Sequence, residues 1–153
     1  MLGCGCRVFL NITKVATIGF ELMKKEIIAP CGMNCGICLG YLRVKNKCPG
    51  CRNDNANKCS SRVKCIIKTC EVIKTNKSGF CFECEKYPCR RLRQLDKRYR
   101  TKYSMSMIEN LEYIKENGLT PFVEKEEKRW LCSKCGGTVC VHRGYCYTCG
   151  ESM

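Results

Sequence analysis

Trp130-Leu131-Cys132-Ser133-Lys134-Cys135-Gly136-Gly137, followed by Gly144-Tyr145-Cys146-Tyr147-Thr148-Cys149-Gly150, is the most legible part of this chain. Two C-x2-C pairs stand with ten residues between Cys135 and Cys146, and a glycine follows the second cysteine of each. Cysteines at that spacing turn both thiolates toward one ion, and the chain reverses just after, where a positive φ suits glycine. This is the pattern of a zinc ribbon. Cys132, Cys135, Cys146 and Cys149 complete a tetrahedron with no open position, so the site is structural rather than catalytic. Short strands around residues 138–142 and Tyr145 fit a hairpin between the two pairs.

Working outward, the same pair recurs at Cys35/Cys38, Cys48/Cys51 and Cys81/Cys84. Eighteen of 153 residues are cysteine. Without cysteine, the 44% apolar fraction falls to about one third, too little for a conventional core. Chains with thin cores need disulfides, metals or oligomerisation. Disulfides need an oxidising compartment. Residues 1–22 make a poor secretory signal, because Asn11, Thr13 and Lys14 interrupt the run Val8-Phe9-Leu10. No run of 18 apolar residues marks a membrane span. The expectation is therefore a cytoplasmic metal-binding protein with no membrane association. Met23-Lys24-Lys25 reads as an ordinary translation start, so residues 1–22, with Cys4 and Cys6, are expected to be a leader or a mis-called start.

The expected fold class is a small, metal-stabilised α+β protein. Its parts are a cysteine-rich domain over 23–100 ending in a basic helix, a helical segment over 101–129, and the ribbon over 130–153. Within the first part, Cys35, Cys38, Cys48 and Cys51 suit one tetrahedral ion. Cys65, Cys70, Cys81 and Cys84 suggest another, and Cys31, Cys59 and Cys89 are additional candidates that could exchange with either set. The cofactor expected is zinc, two to three ions. An iron–sulfur cluster is the alternative, since it also takes four cysteines. Cys31-x3-Cys35-x2-Cys38 has the spacing of radical S-adenosylmethionine enzymes, but those need a longer chain with alternating strands and helices.

Local patterns predict helices over 39–44, over 63–73 with Val63, Ile66, Ile67 and Ile73 on one side, and over 90–100 with Leu92, Leu95 and Tyr99 inward. Ser106 and Glu109 match a capping box, and Gly118 after Asn117 stops that helix. The next helix is expected to begin at Thr120 with Pro121 in the first helical position, where its missing N–H costs nothing. Phe122, Val123 and Trp130 should face inward.

The formal net charge is +14. Each four-thiolate zinc carries −2, so three sites bring this to about +8. A basic surface suits nucleic acid or an acidic protein partner. Arg90, Arg91, Arg93, Lys97, Arg98 and Arg100 concentrate that charge on one helix face, with Tyr99 and Tyr103 as stacking groups. The plainer reading is a solvated helix face. Cys140 and His142 are two apart and would share a strand face. They could pair as nucleophile and base or add metal ligands, but a buried thiol beside a surface imidazole is the simpler arrangement. His142 is the only histidine, which limits histidine-based catalysis. An enzyme with an open metal site would need three protein ligands plus water.

One resemblance spans about residues 27–92. The opening Met23-Lys24-Lys25-Glu26-Ile27-Ile28-Ala29-Pro30-Cys31-Gly32-Met33-Asn34-Cys35-Gly36-Ile37-Cys38-x2-Tyr41 is followed by Cys48-Pro49-Gly50-Cys51-Arg52 and Cys65-x4-Cys70. Phe80-Cys81-x2-Cys84-x3-Pro88-Cys89 completes the order. This series resembles domain-of-unknown-function family 3795. The resemblance implies a cysteine-rich, zinc-binding protein and supplies no reaction.

Overall fold

The computed structural model describes residues 25–153, so the expectations for residues 1–22 and for Met23 as the start lie outside the described residues. Helices dominate. In chain order they are α1 (Leu39–Leu42), α2 (Ser60–Val63), α3 (Glu71–Thr75), α4 (Arg90–Tyr103), α5 (Met107–Asn117) and α6 (Leu119–Arg129). Single 3-10 turns cover Cys35–Ile37 and Cys81–Glu83. Among the described residues, the β component expected from the sequence reduces to one sheet of two short antiparallel strands, β1 (Val139–Cys140) and β2 (Tyr145–Cys146). Val139 faces Cys146 and Cys140 faces Tyr145, as a hairpin between the two knuckles requires.

The three long helices follow their sequence signals. In α4, Leu92 is 1% exposed while Arg90, Arg91, Arg93, Lys97 and Arg98 face solvent. Ser106 caps α5 by accepting from the Glu109 N–H at 3.0 Å. The expected box closes only halfway, because the Glu109 carboxylate turns to Arg100 instead, at 3.0 Å. Asp96 completes the joint between α4 and α5. It is buried, accepting from Ser106 Oγ at 2.7 Å, the Ile108 N–H at 3.0 Å and Arg100 Nε at 2.7 Å. Gly118, at φ 88°, ends α5 and starts α6 at Leu119, so Pro121 is the third helical residue rather than the first.

The expected helix over 63–73 is replaced by two short ones. The chain turns between Val63 and Glu71, leaving Ile67 buried and Ile66 55% exposed. A continuous helix would place Cys65 and Cys70 by helical pitch alone, and the turn instead lets them face different surroundings.

One apolar cluster joins these parts. It runs from Ile28, Met33 and Ile37 through Leu92, Met107, Leu111 and Phe122 to Trp130, Val139 and Val141. Gly32, at φ 84°, makes the closest approach in it. A Cβ there would lie 2.8 Å from the Met107 carbonyl oxygen, and the Gly32 carbonyl accepts from Asn110 Nδ2 at 3.0 Å. The segment carrying Cys31 is thus pressed onto α5. The terminal module is tied to the first knuckle by the Val141 N–H, which donates to the Ile37 carbonyl at 3.0 Å.

Candidate metal centres

The terminal module gathers Cys132, Cys135, Cys146 and Cys149. Among the described residues, this is the one group of three or more potential ligands whose ligand atoms all lie within 4.8 Å of one another. Sulfurs of Cys132 and Cys149 are 3.7 Å apart, and those of Cys135 and Cys146 are 3.5 Å apart. A disulfide would need about 2.05 Å. A single ion with ligands at about 2.3 Å needs tetrahedral edges of about 3.8 Å. The cluster therefore has the size of one metal ion.

Backbone turns create this geometry. The Gly136 N–H donates to the Cys132 carbonyl and the Gly150 N–H to the Cys146 carbonyl, each at 2.9 Å. Gly136 and Gly150 take φ 70° and 76°, as the sequence required. The Gly137 N–H points at Cys135 Sγ, 3.4 Å away. Such a bond supports a thiolate and orients the ligand from behind. Cys132 and Cys146 are buried, whereas Cys135 and Cys149 are exposed. The site thus sits at the rim of the fold with its inner half anchored in the core.

Between residues 31 and 89 the thiols are distributed differently. The 3-10 turns at Cys35–Ile37 and Cys81–Glu83 form two knuckles of the same kind, closed by Cys38 N–H to Cys35 O at 3.0 Å and Cys84 N–H to Cys81 O at 3.1 Å. Asn34 shapes the first by accepting from the Gly36 N–H at 2.9 Å. The Cys51 N–H donates to Cys35 Sγ at 3.3 Å, which brings Cys48-Pro49-Gly50-Cys51 against this knuckle. Cys48 is buried there, its N–H bonded to the Gly40 carbonyl at 2.7 Å.

The remaining candidates separate. Cys70, Cys81, Cys84 and Cys89 line one cavity of about 60 Å³. Cys89, left outside the expected sets, is there. Cys65, expected with Cys70, Cys81 and Cys84, instead lines an open groove of about 300 Å³ with Lys64, Arg91 and Arg98. Cys59 is exposed, its sulfur 3.2 Å from Ser61 Oγ.

Packed this closely, the buried thiols hold their protons unless positive charge stands among them. Burial, followed by the neighbouring Cys51, Cys81 and Cys65, raises the Cys31 thiol far above its usual range. The shared hydrogen bond with Cys51, then burial, raises Cys35, while Cys51 is correspondingly lowered. Cys81 is pushed up to about 12 by burial and then by Cys89, Cys70 and Cys84. Several thiolates cannot coexist in such proximity without positive charge between them. Two arginines supply part of it, and sequence reasoning missed both. Arg52 donates to the Ile28 carbonyl at 2.6 Å and the Gly79 carbonyl at 2.8 Å, and lies over the Phe80 ring at 4.5 Å. Arg62 Nη2 reaches Cys38 Sγ at 3.9 Å. The only hint was charge embedded in cysteine-rich sequence.

His142 is not the surface imidazole expected. It is half-buried and its Nδ1 accepts from the Leu39 N–H at 3.3 Å, just after Cys38. The proton must then lie on Nε2, which donates to Tyr99 Oη at 3.0 Å. Burial, and then Arg62, lowers its pKa and keeps the ring neutral. Tyr99 and Tyr103 pack edgewise on this ring, with centroids 5.8 and 5.1 Å away. Both are half-buried, and Tyr103 also lines an open groove with Lys102, Arg129 and Arg143. Cys140 is fully buried, as expected.

Compared with family models, curated proteins and solved structures, the chain matches none. The four-cysteine cluster defines a protein with a site able to hold a metal ion. None of its helices among the described residues is long and apolar enough to cross a membrane.

Proposed function

We propose that this chain is a zinc-dependent, non-enzymatic binding module whose basic face meets a polyanionic partner. The observation that carries this reading is the convergence of Cys132, Cys135, Cys146 and Cys149 at the spacing of a tetrahedral ion. Four thiolates at a redox-inert, tetrahedral site suit zinc, and they leave it no open position for substrate. The terminal module is then a zinc ribbon. The closely packed thiols of residues 31–89 serve metal as well. Thiols kept unpaired for metal point to the reducing cytoplasm. The similarity to family 3795 belongs to the same reading.

The partner follows from α4. Arg90, Arg91, Arg93, Lys97 and Arg98 are exposed on one helix. With Tyr99 and Tyr103 packed on His142, this face offers mainly charge, which favours binding to phosphates over base recognition. Nucleic acid is the partner this fits best. Metal analysis of anaerobically purified protein should give at least one zinc per chain. Single-stranded RNA and duplex DNA should bind at low salt and weaken steeply as salt rises. The triple substitution R93Q/K97Q/R98Q should flatten the slope by roughly one unit for each phosphate no longer neutralised. A folded, metal-free protein would overturn the zinc reading. Absence of binding at low salt would overturn the nucleic-acid reading alone.

A further inference from the structure

We infer that Cys70, Cys81, Cys84 and Cys89 ligate an iron–sulfur cluster, a different group from the single ion of the terminal module. The inference rests on the reading that the thiols of residues 31–89 serve a metal, and it specifies which metal and which four.

The four come from three separate segments. Cys70 immediately precedes α3, Cys81 and Cys84 bracket a 3-10 turn, and Cys89 immediately precedes α4. All four line one cavity of about 60 Å³. The rest of its wall is almost wholly apolar, including Ile67, Ile73 and Leu92, with Arg91 as its one cationic side chain. A purely apolar wall would make this an ordinary packing void. Four thiols in that wall make it a ligand shell.

The size of the shell decides between one ion and a cluster. Around one zinc the sulfurs are about 3.8 Å apart. The terminal module meets that spacing, and among the described residues no other group of three or more potential ligands has its ligand atoms within 4.8 Å of one another. The thiols of the cavity are therefore spread around a space rather than drawn to a point. An iron–sulfur cluster needs that arrangement, because its cysteines bind separate irons and inorganic sulfide fills the middle. Such clusters are anionic, and the surroundings provide for it. Arg91 stands in the wall, and Cys89 sits at the positive end of a fourteen-residue helix.

The test uses the full chain, purified anaerobically and reconstituted with ferric iron, a thiol reductant that supplies the electrons for the ferrous share, and sulfide. The expected result is tightly bound, acid-labile sulfide with absorbance at about 400 nm, alongside zinc retained by the terminal module. Cys89→Ser and Cys84→Ser should each lower labile sulfide and absorbance by about five-fold or more. Cys65→Ser and Cys59→Ser should leave both unchanged, with helix content and zinc as folding controls. No labile sulfide in the reconstituted wild type overturns the proposal without any variant. So does a second zinc that iron and sulfide cannot displace, or a loss with Cys65→Ser equal to that with Cys89→Ser. A folded protein holding neither zinc nor iron would instead overturn the broader metal reading.

Discussion

The knuckles at Cys132/Cys135 and Cys81/Cys84 share a spacing, yet they sit in unlike surroundings. The first meets its partner knuckle across a two-stranded hairpin, and four sulfurs converge, two of them at 3.5 Å and two at 3.7 Å. The second meets a single cysteine from the turn on either side of it, and the thiols surround an apolar cavity. In the terminal module, local chain geometry does nearly all the positioning. In the cysteine-rich region, packing against α4 and α5 does it. A C-x2-C pair is thus a two-ligand unit whose metal is chosen by whatever closes the other half of the shell.

The sharpest break of this comparison is Cys146→Ser. The thiol is fully buried and bridges the strand to the site. Its loss should remove one equivalent of zinc. A structural zinc is worth an apparent ~10–16 kcal/mol in small peptides, and whole domains are stable by only about 5–15 kcal/mol. Residues 130–153 should lose amide-exchange protection, while the cavity cysteines keep their metal. Simultaneous release of both metals would show that the regions are one unit.

Arg52→Ala probes the opposite half. It removes two charge-assisted hydrogen bonds to backbone carbonyls and the cover over Phe80, at a cost of about 3 kcal/mol. Chemical denaturation should show that loss, with zinc in the terminal module undisturbed. A cost near zero would mean that bound metal, rather than Arg52, holds Ile28 and Gly79 together.

The smallest effect is expected where the regions join. Glu126 is 1% exposed and accepts from Trp130 Nε1 at 3.0 Å. Burial raises its pKa above the ordinary value of 4.5, and Arg129, Trp130 and Asn34 only partly offset this. The native state then holds this proton more tightly than the unfolded chain, so the group's contribution to stability declines as pH rises above 4.5. Glu126→Gln keeps an acceptor for Trp130 and removes the buried charge. Its midpoint should rise by a few degrees at neutral pH and match wild type below pH 4.5. A loss at neutral pH would show that the carboxylate is needed as an ion between the Asn34 knuckle and the terminal module.

Signals confined to a few residues were readable in advance. The Ser106 cap, the Gly118 stop, the inward Leu92 and the glycines after Cys135 and Cys149 all follow from neighbours within about one turn. Failures cluster where distant segments compete. The helix expected over 63–73 has an apolar stripe, yet Cys65 and Cys70 face different surroundings and the chain breaks between them. His142 reads as a surface group because its partners, Leu39 and Tyr99, are 103 and 43 positions away. Arg52 looks like one more surface cation until Ile28 and Gly79 are brought to it.

By itself the sequence determined that one four-cysteine site lies near the end of the chain and that a basic helix precedes it. Spacing suffices for these, because a knuckle and an amphipathic helix are each built within a short segment. Only the tertiary structure decided that Cys89 joins Cys70, Cys81 and Cys84 while Cys65 does not, and that Tyr99 and Tyr103 face His142. Those choices depend on how the turns pack against α4 and α5, which spacing along the chain does not reveal.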